Sequence, residues 1–297
     1  GQKETHEFTF YFGTNKFYQL QSYNQDFEVM VPLGWGIFRW VNRYAVIPLF
    51  NFLNSFVGSY GIIILLLTII IKLVLFPLTY KSYMSTAKMK VLKPEIDEIN
   101  KKFPDREDAM KKQQAIMGLY KRAGVSPMGG CLPTLLQLPF LIALFTFFPS
   151  SFELRQQSFL WAADLSSYDS ILSLPFTIPF YGDHVSLFCL LMAIANIIYV
   201  IIGDQAAMSS TSMPGMKTMM YLMPVMMLFI FNDYASGLSY YYFLSLLITI
   251  GQTLIFRQFV DDNSIHAEIQ ANKAKPIKKS NFQKRLEEAT KKRGLNK

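Results

Sequence analysis

The chain has 297 residues, 51% of them hydrophobic and 15% aromatic, with a mean hydropathy of +0.22. That balance excludes an ordinary soluble domain of this length, and several apolar runs reach the ~20 residues needed to cross a bilayer. The formal net charge of +8 is clustered, which points to anionic lipid headgroups or nucleic acid as neighbours. The two cysteines, Cys131 and Cys189, lie in apolar runs without disulfide or metal-ligand spacing.

The chain starts Gly1-Gln2, with no Met and no signal-like segment, and reads as a fragment or processed chain. Residues 1–33 are expected to be the remnant of a β domain. Phe8–Leu20 alternates aromatic and polar residues around a Gly-Thr-Asn turn, the pattern of a hairpin that is marginal alone. Residues 34–58 read as an interfacial amphipathic helix, with Trp35, Phe38, Val41, Ile47, Leu49 and Phe52 set against Arg39, Asn42 and Arg43. Pro48 and Asn51 argue against a full span, and a surface helix packed on a neighbouring domain is the alternative.

Residues 59–80 form the first expected span, with a single charge at Lys72. Residues 81–128 are charged, with apolar positions at Met89, Leu92, Ile96 and Ile99 and again at Met110, Ile116, Leu119 and Tyr120. The break at Phe103-Pro104-Asp105 predicts a helical hairpin with two amphipathic arms. Four further spans are expected within 129–257, at about 129–148, 184–203, 216–233 and 238–256, with a polar, aromatic loop over 149–183. The fourth of the five spans is rich in methionine. Residues 258–297 form a basic tail, expected to be mobile. Five spans place the hairpin, Lys217 and the tail on one side, which the positive-inside rule makes cytoplasmic.

A charge deep in a membrane helix costs about 2.5–3.5 kcal/mol on insertion scales, so Lys72 should face protein or water. Helical spacing puts Thr68, Lys72, Thr79 and Tyr83 on one face of the first span. Tyr242, Ser245, Thr249 and Gln252 share a face of the last, Thr134 and Gln137 one of the second, and Asn196 and Tyr199 one of the third. These stripes predict a wet groove around Lys72. Other readings stay open at this level: Lys72 snorkelling to the surface, Thr68 and Ser245 bonding their own backbone, Gln137 and Gln252 joining helices. Met213, Met216, Met219, Met220, Met223, Met226 and Met227 are either packing residues or an adaptable greasy surface. No nucleotide, protease, hydrolase or metal motif occurs, and His6, His184 and His266 are scattered, so no enzyme, cofactor or metal site is expected. A channel or transporter with Lys72 as an intramembrane anion site is the competing class; ion flux in vesicles separates it from a binding groove.

SFVGSYGIIILLLTIIIK with Pro77-Leu78-Thr79, AKMKVLKPEIDEINKKF, LYKRAGVSPMGGCLPTLLQLPF, FELRQ with WAADLS, KTMMYLMPV and SGLSYYYF follow one another over about residues 34–257. In these runs and their order the chain resembles the YidC/Oxa1/Alb3 family of membrane protein insertases. The resemblance implies an all-α polytopic protein of the bacterial inner membrane, an insertase and chaperone. Its five-span core would hold a polar groove open to cytoplasm and lipid, with residues 1–58 and the loop 149–183 on the periplasmic side and the C-terminus in the cytoplasm. The N-terminal piece resembles the end of a periplasmic β domain. The groove residues implied are Lys72, where relatives usually carry arginine, with Gln137 and Tyr242, joined by Thr68, Ser245 and Gln252. An apolar slide is expected along Leu135, Phe140 and Leu144 and along Met223 and Met227. Expected partners are nascent membrane proteins, the ribosome through the basic tail, a Sec-type translocon and anionic lipids.

Overall fold

The computed structural model of the chain describes residues 6, 10–104, 108–126, 132–202 and 216–274. Phe8, Cys131, Met213 and the tail beyond residue 274 lie outside them, as do the side chains of Thr134, Met216 and Lys217.

Residues 10–33, where strands are expected, carry helix instead: α1 (Phe17–Gln21) and a 3-10 turn at Phe27–Met30. Phe17 and Leu20, three apart, are both buried in the bundle's core, a spacing that one helical turn satisfies and a strand does not. Next, α2 (Ile37–Val41), a π turn (Asn42–Val46) and α3 (Ile47–Asn54) run on as one two-faced segment. Its inner face buries Asn42, Val46, Ile47, Phe50 and Leu53, while Trp35, Ile37, Trp40, Tyr44, Phe52 and Phe56 stay exposed. Asn42 pins it: the side-chain amide points at the carbonyls of Leu33 (3.0 Å) and Ala143 (2.7 Å) and at Thr146 Oγ1 (3.2 Å).

The helix α4 (Tyr60–Val91) has 32 residues, about 48 Å at 1.5 Å per residue. That exceeds the ~30 Å of a hydrocarbon core, so its last turns run on without a break as the first arm of the hairpin. α5 (Lys93–Lys102) stops just before Pro104, and α6 (Ala109–Ala123) forms the returning arm. Gly124, at φ +69°, ends α6, and the Val125 N–H bonds back to the Tyr120 carbonyl (2.9 Å). α7 (Leu132–Ser150) follows, then a loop that contains an antiparallel pair, β1 (Leu172–Ile178) and β2 (Gly182–Val185), in register Leu172 to Val185. α8 (Leu187–Ile202), α9 (Met216–Phe231) and α10 (Ser236–Phe259) complete the bundle. Among the described residues two helices, α4 and α10, are long and apolar enough to cross a membrane, and 135–150, 187–202 and 218–231 are shorter apolar helices.

Two cores result. The larger joins the bundle through Ile63, Ile64 and Leu67 of α4, Leu144 and Phe148 of α7, Phe188 of α8, and Leu238 and Tyr241 of α10. The smaller lies beyond it, where α11 (Asp262–Ala274) docks on the hairpin. Ile265 and Ile269 of α11, one turn apart, pack with Met89, Leu92, Ile96, Ile116 and Tyr120. Ion pairs from Lys88 to Glu268 (2.7 Å) and from Lys273 to Glu95 flank this contact. The first part of the tail, expected to be mobile, is therefore a helix with a buried face.

Candidate functional site: a polar groove in the helix bundle

Lys72 lies twelve residues into α4, about 18 Å from its start. It is 6% exposed, so its ammonium sits inside the bundle. Its Nζ donates to Gln137 Oε1 of α7 (2.9 Å) and to Thr249 Oγ1 of α10 (2.8 Å). Gln137 in turn donates through Nε2 to Ser245 Oγ (2.6 Å), which ties the three helices together. Among the described residues no carboxylate pairs with Lys72. One wall of this cluster is open. A cavity of ≈ 160 Å³ is lined by Lys72, Gln137, Tyr242 and Thr249, by Asn196 and Tyr199 of α8, and by Met220, Met223, Pro224 and Met227 of α9. Leu75, Leu78 and Thr79 carry the lining along α4 toward the hairpin. The cavity is largely apolar with a few convergent polar groups, the usual make-up of a binding site.

Toward the strand pair the bundle is packed shut. Ile63, Ile64, Leu67, Phe148, Phe188, Leu238 and Tyr241 are essentially without exposure. The loop 152–185 is bonded onto this end. Asp169 accepts hydrogen bonds from Trp161 Nε1 (2.8 Å), from the Ser186 hydroxyl, and from the Leu187 (2.9 Å) and Phe188 (3.1 Å) amides at the start of α8. A carboxylate there meets the positive end of the helix dipole and fills donors that would otherwise be orphaned. Asn232 fixes the second strand, donating to the carbonyls of Tyr181 (2.8 Å) and His184 (2.9 Å) and accepting from the Ser186 N–H (3.0 Å). Close approach seals the rest: Gly237 donates to the Leu165 carbonyl (3.0 Å), and a Cβ there would lie 2.9 Å from that oxygen.

Of the residues singled out in the sequence, Lys72, Gln137 and Tyr242 line the cavity together, and Ser245 backs it through Gln137. Thr68 is fully buried and bonds the Ile64 carbonyl of its own helix (2.7 Å). Gln252 lies outside the lining, and its Oε1 is buried without a partner. Met223 and Met227 are on the cavity wall. On α7 the wall is formed by Leu136, Leu138 and Leu141, whereas Leu135 is exposed elsewhere, Phe140 packs against the core and Leu144 is fully buried within it. The neighbour that the sequence offered only as one of a stripe is Thr249. Its spacing of seven residues from Tyr242 and four from Ser245 is the available signal.

A family model described as 60Kd inner membrane protein matches residues 52–263. Proteins named membrane protein insertase YidC are similar along nearly the whole chain. The one from Parabacteroides distasonis is 59% identical over 97% of this chain and 47% of its own length, and the one from Porphyromonas gingivalis is 50% identical over 95% and 47%. This chain thus spans about half the length of the curated relatives it matches. A crystal structure described as an active YidC insertase with its first transmembrane domain resolved superposes with a TM-score of 0.54 at 27% identity, covering 80% of this chain and 53% of that one. The match of the family model to most of the chain, together with the shared fold, establishes that the chain belongs to the 60Kd inner membrane protein family.

Proposed function

We propose that this chain is the membrane-embedded part of an insertase that moves nascent transmembrane segments into the bacterial inner membrane through the Lys72 groove. The observation that carries the reading is a buried ammonium with only neutral protein partners, set against an open cavity. Such a charge is costly in a membrane bundle unless a ligand or water meets it. A polar or acidic segment of a client is drawn to Lys72 and held among Gln137, Tyr242 and Thr249. The client's apolar segment meanwhile passes along the methionine face of α9, where Met219, Met223 and Met226 are exposed. Methionine adapts to many apolar partners. Transfer to lipid drives release, at roughly 25 cal/mol per Å² of apolar surface. The groove residues bind and orient; the proposal needs no covalent step.

The basic hairpin and tail support a cytoplasmic position for this end of the bundle and a periplasmic one for residues 1–58, by the positive-inside rule. The same charge suits anionic lipids, a ribosome at the tail and a Sec-type translocon as partners. The test is reconstituted insertion of a client with an acidic translocated segment. Lys72→Arg should retain insertion and Lys72→Ala should lose it. Full activity of Lys72→Glu on that client overturns the electrostatic role, and ion flux without insertion would assign the cavity to an anion channel instead.

A further inference from the structure

The two-faced segment at the strand-pair end of the bundle carries a second basic site. Arg39 and Arg43 stand four residues apart across the junction of α2 and the π turn, and Trp40 and Tyr44 repeat that spacing beside them. The four side chains line one shallow recess. The rings of Trp40 and Tyr44 lie 4.9 Å apart, and the two residues are 65% and 60% exposed. Arg43 is engaged by the protein: its guanidinium lies 3.6 Å from Glu28 and over the rings of Phe17 and Tyr44. Arg39 is only partly exposed, yet among the described residues its side chain has no hydrogen bond, ion pair or ring contact. With Glu28 offsetting Arg43, one positive charge is left over in an aromatic recess. Asn42 holds the opposite face of the segment to α7, so this face is turned away from the bundle.

We propose that Arg39, with Arg43, Trp40 and Tyr44, binds the phosphate headgroup of an anionic phospholipid at the bilayer surface on the strand-pair side. Guanidinium groups match phosphate oxygens as a planar fork. Tryptophan and tyrosine settle where one end of the ring is dry and the other wet. The exposed Trp35 and Ile37 continue the apolar face into the acyl chains. This site is remote from Lys72 in the chain and on the opposite side from the basic hairpin, so it acts on the lipid of one leaflet only.

The chain has three tryptophans, and the difference between the unaltered protein and Trp40→Phe isolates the fluorescence of Trp40. The full chain is reconstituted in phosphatidylcholine vesicles with equal mole fractions of either brominated phosphatidylglycerol or brominated phosphatidylcholine. Trp40 should report about fivefold enrichment of the anionic quencher, the factor that about 1 kcal/mol for a basic residue at an anionic surface corresponds to. Arg39→Gln should remove the enrichment. Equal quenching by the two lipids in the unaltered chain overturns the site, as does a preference that survives Arg39→Gln. Loss of the preference on adding millimolar inorganic phosphate would show a free-anion site and overturn the lipid as ligand.

Discussion

Asp169 and Lys72 are both charges buried in this bundle, 1% and 6% exposed, and their surroundings are opposite. Asp169 receives four hydrogen bonds, two of them from the first amides of α8. Lys72 meets two neutral oxygens and a cavity. The first arrangement recovers the cost of burial within the protein, through charge-assisted bonds and the helix dipole. The second leaves part of that cost standing. A buried charge that its own protein satisfies serves architecture; one left short of partners beside an opening serves a ligand.

Removing each charge should separate the two roles. Asp169→Ala orphans four donors and should lower stability by at least about 3 kcal/mol, read as a fall in the thermal unfolding midpoint of the purified protein. Lys72→Met should leave that midpoint unchanged or raise it, since replacing a buried charge with an apolar side chain of similar size is often neutral or stabilising. The same variant should lose insertion of the acidic client. Equal destabilisation by Asp169→Ala and Lys72→Met would erase the contrast. Gln137→Leu removes two interhelical hydrogen bonds, from Lys72 and to Ser245, and should cost about 1 kcal/mol, with insertion weakened rather than lost. The smallest effect on the bundle is expected from Ile269→Asp. It should release α11 from the hairpin and speed tryptic cleavage after Lys273 without moving the main unfolding midpoint, because Ile269 belongs to the smaller, separate core.

The long elements and the centre of the groove were readable in advance for a physical reason. Polar residues in an otherwise apolar helix stand out, and their three- and four-residue spacing fixes a face, as for Tyr242, Ser245 and Thr249. The wall of α7 was not readable in that way. LPTLLQLPFLIALF is apolar over most of its circumference, with Thr134 and Gln137 alone to mark a direction, and the slide expected to include Leu144 does not, since Leu144 is fully buried. The strand pair was hidden by Pro175 and Pro179 within a polar, aromatic loop. Asp169 carries no local signal at all, since the helix it caps begins eighteen residues later. At α11, Ile265 and Ile269 are one helical turn apart, but two apolar residues in a charged tail do not announce a partner; the partner is the hairpin. At the other end, the aromatic alternation of residues 10–20 implies strands, whereas Phe17 and Leu20 are buried three residues apart, the spacing of one helical turn.

An ammonium carries three hydrogens. In Lys72 two of them are committed, to Gln137 and Thr249, so a visiting acceptor is offered a single remaining one and need not dislodge either neighbour. One hydrogen imposes direction and sign but no outline. A backbone carbonyl, a serine hydroxyl and an aspartate can each take it, differing in strength and not in fit. Under the proposed function, such a groove would read its clients by polarity, with little grammar for sequence, the kind of reading that suits a site meeting many unrelated chains.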